Sequence, residues 1–163
     1  YKPVGDIVLG LDERQCLTIQ GAVTRQERIV TNDLVRLQSD QRFEWLGRAD
    51  SMVNSGGIKI QIERIDELVG AYFSTQGINF KYFSWFEPDT TLGQRLILLI
   101  ESGKPLDDTL IENLLDYIGQ QQNPYFKPRR IYYMPTFVET STQKIHKPQS
   151  YAQLKTTPPN QYE

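Results

Sequence analysis

Gly47-Arg48-Ala49-Asp50-Ser51-Met52-Val53-Asn54-Ser55-Gly56-Gly57 is the stretch on which the reading of this chain turns. The character of the sequence changes there. Before it, short apolar runs are separated by turn residues: Asp6 to Leu9 and Cys16 to Ile19 flank the turn-prone Gly10–Arg14, a hairpin pattern. Ile29–Val30, Leu34 to Leu37 and Phe43 to Leu46 read as further strands, and helix signals are few. The segment is too short to hold a separate core, so it reads as the end of a larger β-rich domain.

After Gly47 the pattern is mixed. Val53 lies in a strand running into Gly56-Gly57, and Ile58 and Ile60 alternate with Lys59 and Gln61. Ile62, Ile65, Val69 and Tyr72 then recur at helical spacing, with acidic residues early in the run. Asn79 to Phe86 is aromatic and strand-like. Arg95 to Ile100 is a continuous apolar run suited to a strand buried on both faces. Asp107 or Asp108 can cap a second helix whose apolar stripe is Leu110, Ile111, Leu114, Leu115 and Ile118. Arg130 to Met134 reads as a strand, Pro135 to Gln143 as turns, and Pro148 to Leu154 as a short last helix. The expected fold class is therefore α+β, with a β-rich segment over residues 1–46 and a small mixed domain with two main helices over 47–154. Residues 155–163, polar and carrying Pro158-Pro159, are expected to be a disordered tail.

Composition narrows the function classes. The 163 residues are 39% apolar and 23% charged with net charge −2, which argues against a general nucleic-acid binder or a polybasic membrane patch. No apolar run approaches the roughly 20 residues of a membrane span. No secretory signal is visible, and a lone cysteine, Cys16, builds no disulfide framework, so a cytoplasmic protein is expected. One histidine, His146, gives little material for multi-histidine metal sites or His-based triads, and no metal site is expected in this chain. The opening on Tyr1 rather than Met suggests a fragment or a processed product.

Three clusters could carry chemistry. In Thr31-Asn32-Asp33, a carboxylate between strands could hold a vicinal diol through its two oxygens, although an Asx turn accounts for the same residues. In the Gly47–Gly57 stretch, Arg48 could reach a phosphate or ribose oxygen and Asp50 could sit at a pivot. The paired glycines could let backbone approach a ligand, or could simply mark a hairpin beside a solvated Arg–Asp pair. In Thr140-Ser141-Thr142-Gln143-Lys144-Ile145, a lysine on a polar loop offers a mobile point charge, or is merely exposed near a chain end.

Taken in order, the three clusters resemble the layout of the acyl-adenylate-forming superfamily, which includes acyl-CoA synthetases, luciferases and nonribosomal adenylation domains. The elements are a TGD-like Thr31-Asn32-Asp33, a GRxD at Gly47–Asp50, Ser55-Gly56-Gly57 followed by Ile65-Asp66, and a lysine loop at Thr140–Lys144 approached through Lys127-Pro128. Within the superfamily, Trp45-Leu46-Gly47-Arg48 and Asn54-Ser55-Gly56-Gly57 look most like the bacterial o-succinylbenzoate–CoA ligases of menaquinone biosynthesis. Asn32 and Gln143 stand where glycine is usual, and Ile62 where proline is common.

The resemblance implies the C-terminal lid domain of such a ligase, preceded by the last piece of its large N-terminal domain. ATP and CoA would be substrates with a small carboxylic acid. Asp33 and Arg48 would serve the nucleotide, and Lys144 would be the catalytic lysine of adenylation. Asp50 would be the hinge, and Ser55, Gly56 and Gly57 would line the CoA channel. Mg2+ would be bound outside this chain. The phosphate loop and the acyl pocket, which the sequence lacks, would lie on the missing N-terminal domain, the chain's chief partner, so the chain alone should have no ligase activity. Another acyl-CoA synthetase would share these features. A non-catalytic α+β interaction module would differ in being indifferent to Lys144.

Overall fold

The apolar run at 95–100 occupies the centre of the larger half of the computed structural model, which describes residues 1–154 and 160–162. The chain divides into two compact units, Tyr1–Met52 and the residues from Val53 onward.

The first unit is a four-stranded antiparallel sheet of β1 (Ile7–Leu11), β2 (Cys16–Gly21), β3 (Ile29–Leu37) and β4 (Phe43–Arg48), in the order β1-β2-β3-β4. Its core is thin. Leu9, Leu17 and Val35 are buried, with Ile7, Leu11, Ile19, Leu37 and Phe43 packed partly around them. The two strands expected at Ile29–Val30 and Leu34–Leu37 are one strand, because the residues between them stay in the sheet as a bulge. A single 3-10 turn, Ala49–Ser51, follows β4.

The next elements are β5 (Met52–Ser55), β6 (Ile58–Gln61), α1 (Ile62–Thr75), β7 (Tyr82–Asp89), β8 (Gly93–Glu101), α2 (Asp108–Gln121), β9 (Arg130–Met134), α3 (Lys147–Leu154) and β10 (Asn160–Tyr162). Strand β8 pairs antiparallel with β7 and parallel with β9. Its side chains divide between the two faces as strand alternation requires. Leu96, Leu98 and Ile100 join Ile65, Val69, Phe73, Ile111, Leu114 and Ile118 of α1 and α2 in the main core. Ile97 and Leu99 face a second cluster with Phe83, Tyr132, Met134 and Phe137, against which Ile145 and Tyr151 pack. Burial on both faces explains why Leu96 to Ile100 contains no polar residue.

Helix α1 stops where Gly77 takes φ +66°, a conformation glycine adopts at no steric cost, and Ile78 N–H donates to the Phe73 carbonyl at 2.9 Å. Asp107 is the residue that caps α2, accepting from the Leu110 amide at 3.2 Å. Strand β7 runs past the expected Phe86 through Pro88, which suits an edge strand, since among the described residues β7 pairs with β8 alone.

The stretch expected to be a disordered tail, 155–163, is described only at residues 160–162. Asn160–Tyr162 pairs antiparallel with β9, Gln161 opposite Tyr132, where the open edge of β9 offers unpaired backbone groups. Residues 155–159 and 163 lie outside the described residues.

Candidate functional site

In the first unit, Thr31, Asn32 and Asp33 stand opposite Leu17 alone, between the pairs Thr18–Val30 and Cys16–Leu34. The excess residues bulge, and such irregularities re-aim side chains out of the regular pleat. Local bonds fix the bulge: Thr31 Oγ1 donates to the Leu17 carbonyl at 2.9 Å and accepts from the Asp33 amide at 3.1 Å. On the other side, register places Asp33 directly across from Arg48 on β4. Arg48 forks onto Asp50, Nε to Oδ1 at 2.8 Å and Nη2 to Oδ2 at 2.7 Å, while its Nη1 lies 3.7 Å from Asp33 Oδ1. The hydrogen bonds from the Arg48 guanidinium hold the Asp50 carboxyl below the usual carboxylate range.

Two residues not assigned a role from the sequence belong to this constellation. Trp45 directs Nε1 toward Asp33 Oδ1 at 3.5 Å, and Tyr1, Leu17, Asp33, Phe43 and Trp45 line an open cavity of about 400 Å³. Asn32 donates to Asp50 Oδ2 at 3.4 Å and accepts from Arg14 at 3.3 Å, so the residue in the usual glycine position adds a second tie to Asp50. The alternation of Phe43-Glu44-Trp45 was the available clue for Trp45. The tie through Asn32 depends on the bulge and had none.

In the second unit, Ser55-Gly56-Gly57 forms the turn between β5 and β6. Gly56 has φ +59° and Gly57 φ +84°, and the Gly56 amide donates to the Leu92 carbonyl at 2.9 Å. A side chain at Gly57 would meet nothing, so backbone conformation and not crowding within this unit calls for glycine there. Ser55 and Gly56 open onto a cavity of about 210 Å³ with Ile58, Leu92, Tyr125 and Arg129.

Lys144 stands on a narrow loop closed by a bridge between Glu139 and Ile145. Within it Thr140 N–H donates to the Lys144 carbonyl at 2.8 Å, Gln143 N–H to the Thr140 carbonyl at 2.9 Å and Lys144 N–H to Thr140 Oγ1 at 3.2 Å. Gln143 has φ +61°, so the left-handed conformation suited to glycine is kept although the residue is not glycine. Lys144 is exposed, and among the described residues no carboxylate forms an ion pair with it.

Asp33, Arg48 and Asp50 thus come together in one unit, while Ser55, Gly56, Gly57 and Lys144 belong to the other. The base of the lysine loop is braced by residues that spacing did not single out. Glu101 accepts from the Phe137 amide at 2.7 Å, Lys81 pairs with Glu139, and the buried Ser150 hydroxyl accepts from the Val138 amide at 2.9 Å. Among the described residues no three His, Cys, Asp or Glu side chains gather in a way that could hold a metal ion, and no helix is long and apolar enough to cross a membrane.

The β-rich unit followed by a mixed α+β unit is the architecture that the adenylate-forming resemblance implied. Comparison with known proteins bears this out. An acyl-CoA synthetase (AMP-forming)/AMP-acid ligase II-like protein from Dyadobacter fermentans is 41% identical, with a TM-score of 0.62 over 94% of this chain and 43% of its own. The o-succinylbenzoate CoA synthetase of Bacillus subtilis, solved in complex with an acyl-adenylate intermediate, shares the fold at a TM-score of 0.70 and 15% identity, over 91% of this chain and 34% of its own. In sequence, the 2-succinylbenzoate–CoA ligase of Haemophilus influenzae is 25% identical over 122 residues, 71% of this chain and 26% of that protein. No family-level sequence model matches. The chain is therefore similar to AMP-forming acyl-CoA synthetases and has the fold of part of one, spanning about a quarter of the curated relative it matches.

Proposed function

We propose that this chain is the C-terminal part of an ATP-dependent, AMP-forming acid–CoA ligase, with a hinge at Asp50 and a catalytic lysine at Lys144. The observation that carries the reading is the convergence of Asp33, Arg48 and Asp50. These residues come from two separate motifs, yet a bulge in β3 and the register of β4 set them side by side.

In the first half-reaction a carboxylate oxygen attacks the α-phosphorus of ATP, and the bond to the pyrophosphate oxygen breaks. Asp33 accepts hydrogen bonds from the ribose hydroxyls, and Arg48 donates to ribose oxygens beside it. Lys144 supplies positive charge where negative charge shifts among carboxylate and phosphate oxygens. An exposed ammonium group on a loop with a fixed base suits that duty. In the second half-reaction the CoA sulfur attacks the acyl carbonyl carbon and AMP leaves with the bonding electrons. Rotation at Asp50 withdraws Lys144 and presents the Ser55-Gly56-Gly57 turn to the pantetheine arm. The cavity beside that turn, with Arg129 in its wall, gives a CoA phosphate a counter-charge.

The phosphate loop, the acyl pocket and the residues for Mg2+ are assigned to the N-terminal domain, so the chain alone lacks ligase activity. The acid is proposed to be o-succinylbenzoate, on the likeness to the Haemophilus and Bacillus proteins, and the setting to be the cytoplasm. Asp50→Pro in the polypeptide that carries this chain tests the hinge, because proline fixes φ and blocks rotation. The expected result is adenylation near the wild-type rate with thioester formation lost. Equal loss of both steps, or loss of neither, would contradict it.

A further inference from the structure

The sequence resemblance singled out Ile65-Asp66, and the proposed mechanism leaves Asp66 unused. In the structure Asp66 faces away from α1 toward two other elements. Its Oδ1 accepts from the Ser84 amide of β7 at 2.6 Å, and its Oδ2 accepts from Lys147 Nζ at 2.7 Å. The Lys147 ammonium also lies 5.9 Å from the centroid of the buried Phe83 ring, a favourable place for a cation. Both charged side chains are less than a third exposed, so water competes weakly for the pair.

Lys147 opens α3 immediately after the lysine loop. The incoming end of that loop is joined to the outgoing end and to α3: Val138 N–H donates to Ser150 Oγ at 2.9 Å, and His146 N–H donates to the Val138 carbonyl at 2.7 Å. Between these anchors Thr140 to Lys144 bond chiefly to one another. The outgoing end of the Lys144 loop is thus tied to α1 by an ion pair whose carboxylate, 81 residues upstream, also holds the Ser84 amide of β7, beside the apolar packing of Ile145 and Tyr151.

We propose that Asp66 is a positioning residue for Lys144: by fixing Lys147 against β7, it sets where the loop places the Lys144 ammonium group. This rests on the adenylation role given to Lys144. A reacting group displaced by about 1 Å can lose about 100-fold in rate. In the polypeptide that carries this chain, Asp66→Asn and Lys147→Gln should each slow adenylation about 10-fold or more. The KM for ATP and the rate of thioester formation from supplied acyl-AMP should stay unchanged. Lys147→Gln leaves the Ser84–Asp66 hydrogen bond in place and so guards against simple misfolding, and Lys147→Arg should restore most of the rate.

The inference is overturned if both half-reactions fall together, or if both variants adenylate at the wild-type rate while Lys144→Ala does not. Should Lys144→Ala itself adenylate normally, the functional reading fails instead, and amide hydrogen exchange in the 163-residue chain decides the role of Asp66. Faster exchange over Thr140 to His146 in Lys147→Gln, with Leu96 to Ile100 unchanged, supports positioning. Unchanged exchange in the loop overturns it.

Discussion

Replacing Gln143 with glycine should stabilise this protein, and the structure gives the size of the effect. Gln143 sits at φ +61°. A side chain in the left-handed region costs about 1–2 kcal/mol relative to glycine. Glycine in turn loses more freedom on folding, which returns about 0.5–1 kcal/mol. The backbone N–H that closes the loop onto the Thr140 carbonyl is kept in the variant, and the exposed side chain leaves no hole. At the mid-points of the two ranges the net gain is about 0.75 kcal/mol. For a unit of this size that raises the melting temperature by about 3–6 °C. Urea unfolding followed by circular dichroism, fitted for the unit from Val53 onward, reads the change. Gln143→Ala should be close to neutral, since alanine meets the same backbone penalty. Gln143→Pro should destabilise, because proline cannot reach positive φ and removes the N–H. The reasoning is refuted if Gln143→Gly is no more stable than Gln143→Ala.

Other perturbations reach different parts of the molecule. Gly21→Ala should destabilise the unit Tyr1–Met52 by about 1–3 kcal/mol, since the new Cβ would lie 2.4 Å from the Asp6 carbonyl oxygen, and differential scanning calorimetry should show only that unit melting earlier. Ser150→Ala leaves the half-buried Val138 N–H without its partner and should cost about 1 kcal/mol, measured by the urea midpoint. The Leu92 and Thr91 amides, with Arg95, hold the Asp89 carboxyl below its usual range. A folded-state pKa below the unfolded one means that this stabilisation is present above the unfolded carboxylate pKa. It is lost as pH falls through the depressed folded value. The unfolding midpoint of Asp89→Asn should therefore fall less on acidification than that of the wild type.

The sequence made some of this molecule legible because those features are local. Leu96 to Ile100 announced a strand buried on both faces, and it lies between β7 and β9 with its side chains divided between two cores. The stripes of α1 and α2 were readable because helical periodicity repeats over their whole length. What escaped depends on partners remote in sequence. The continuity of β3 through Thr31-Asn32-Asp33 follows from its register with β2, and no pattern within β3 announces a bulge. The ties Asp66–Lys147 and Glu101–Phe137 join residues brought together by the sheet and its crossovers. In the candidate site, residue identities were visible but geometry was not. That Arg48 grips Asp50 while lying beside Asp33, and that Asn32 adds a second hold, are consequences of strand pairing.

The measurement that bears most directly on the proposed role is single-turnover kinetics of Lys144→Ala in the polypeptide carrying this chain, with the two half-reactions followed separately. Removing the ammonium group should slow acyl-AMP formation by about 100-fold or more, the scale seen when one group stabilising developing charge is lost, and should leave acyl transfer from supplied acyl-AMP to CoA near the wild-type rate. An adenylation rate unchanged by the substitution, or an equal loss in both steps, would contradict the account.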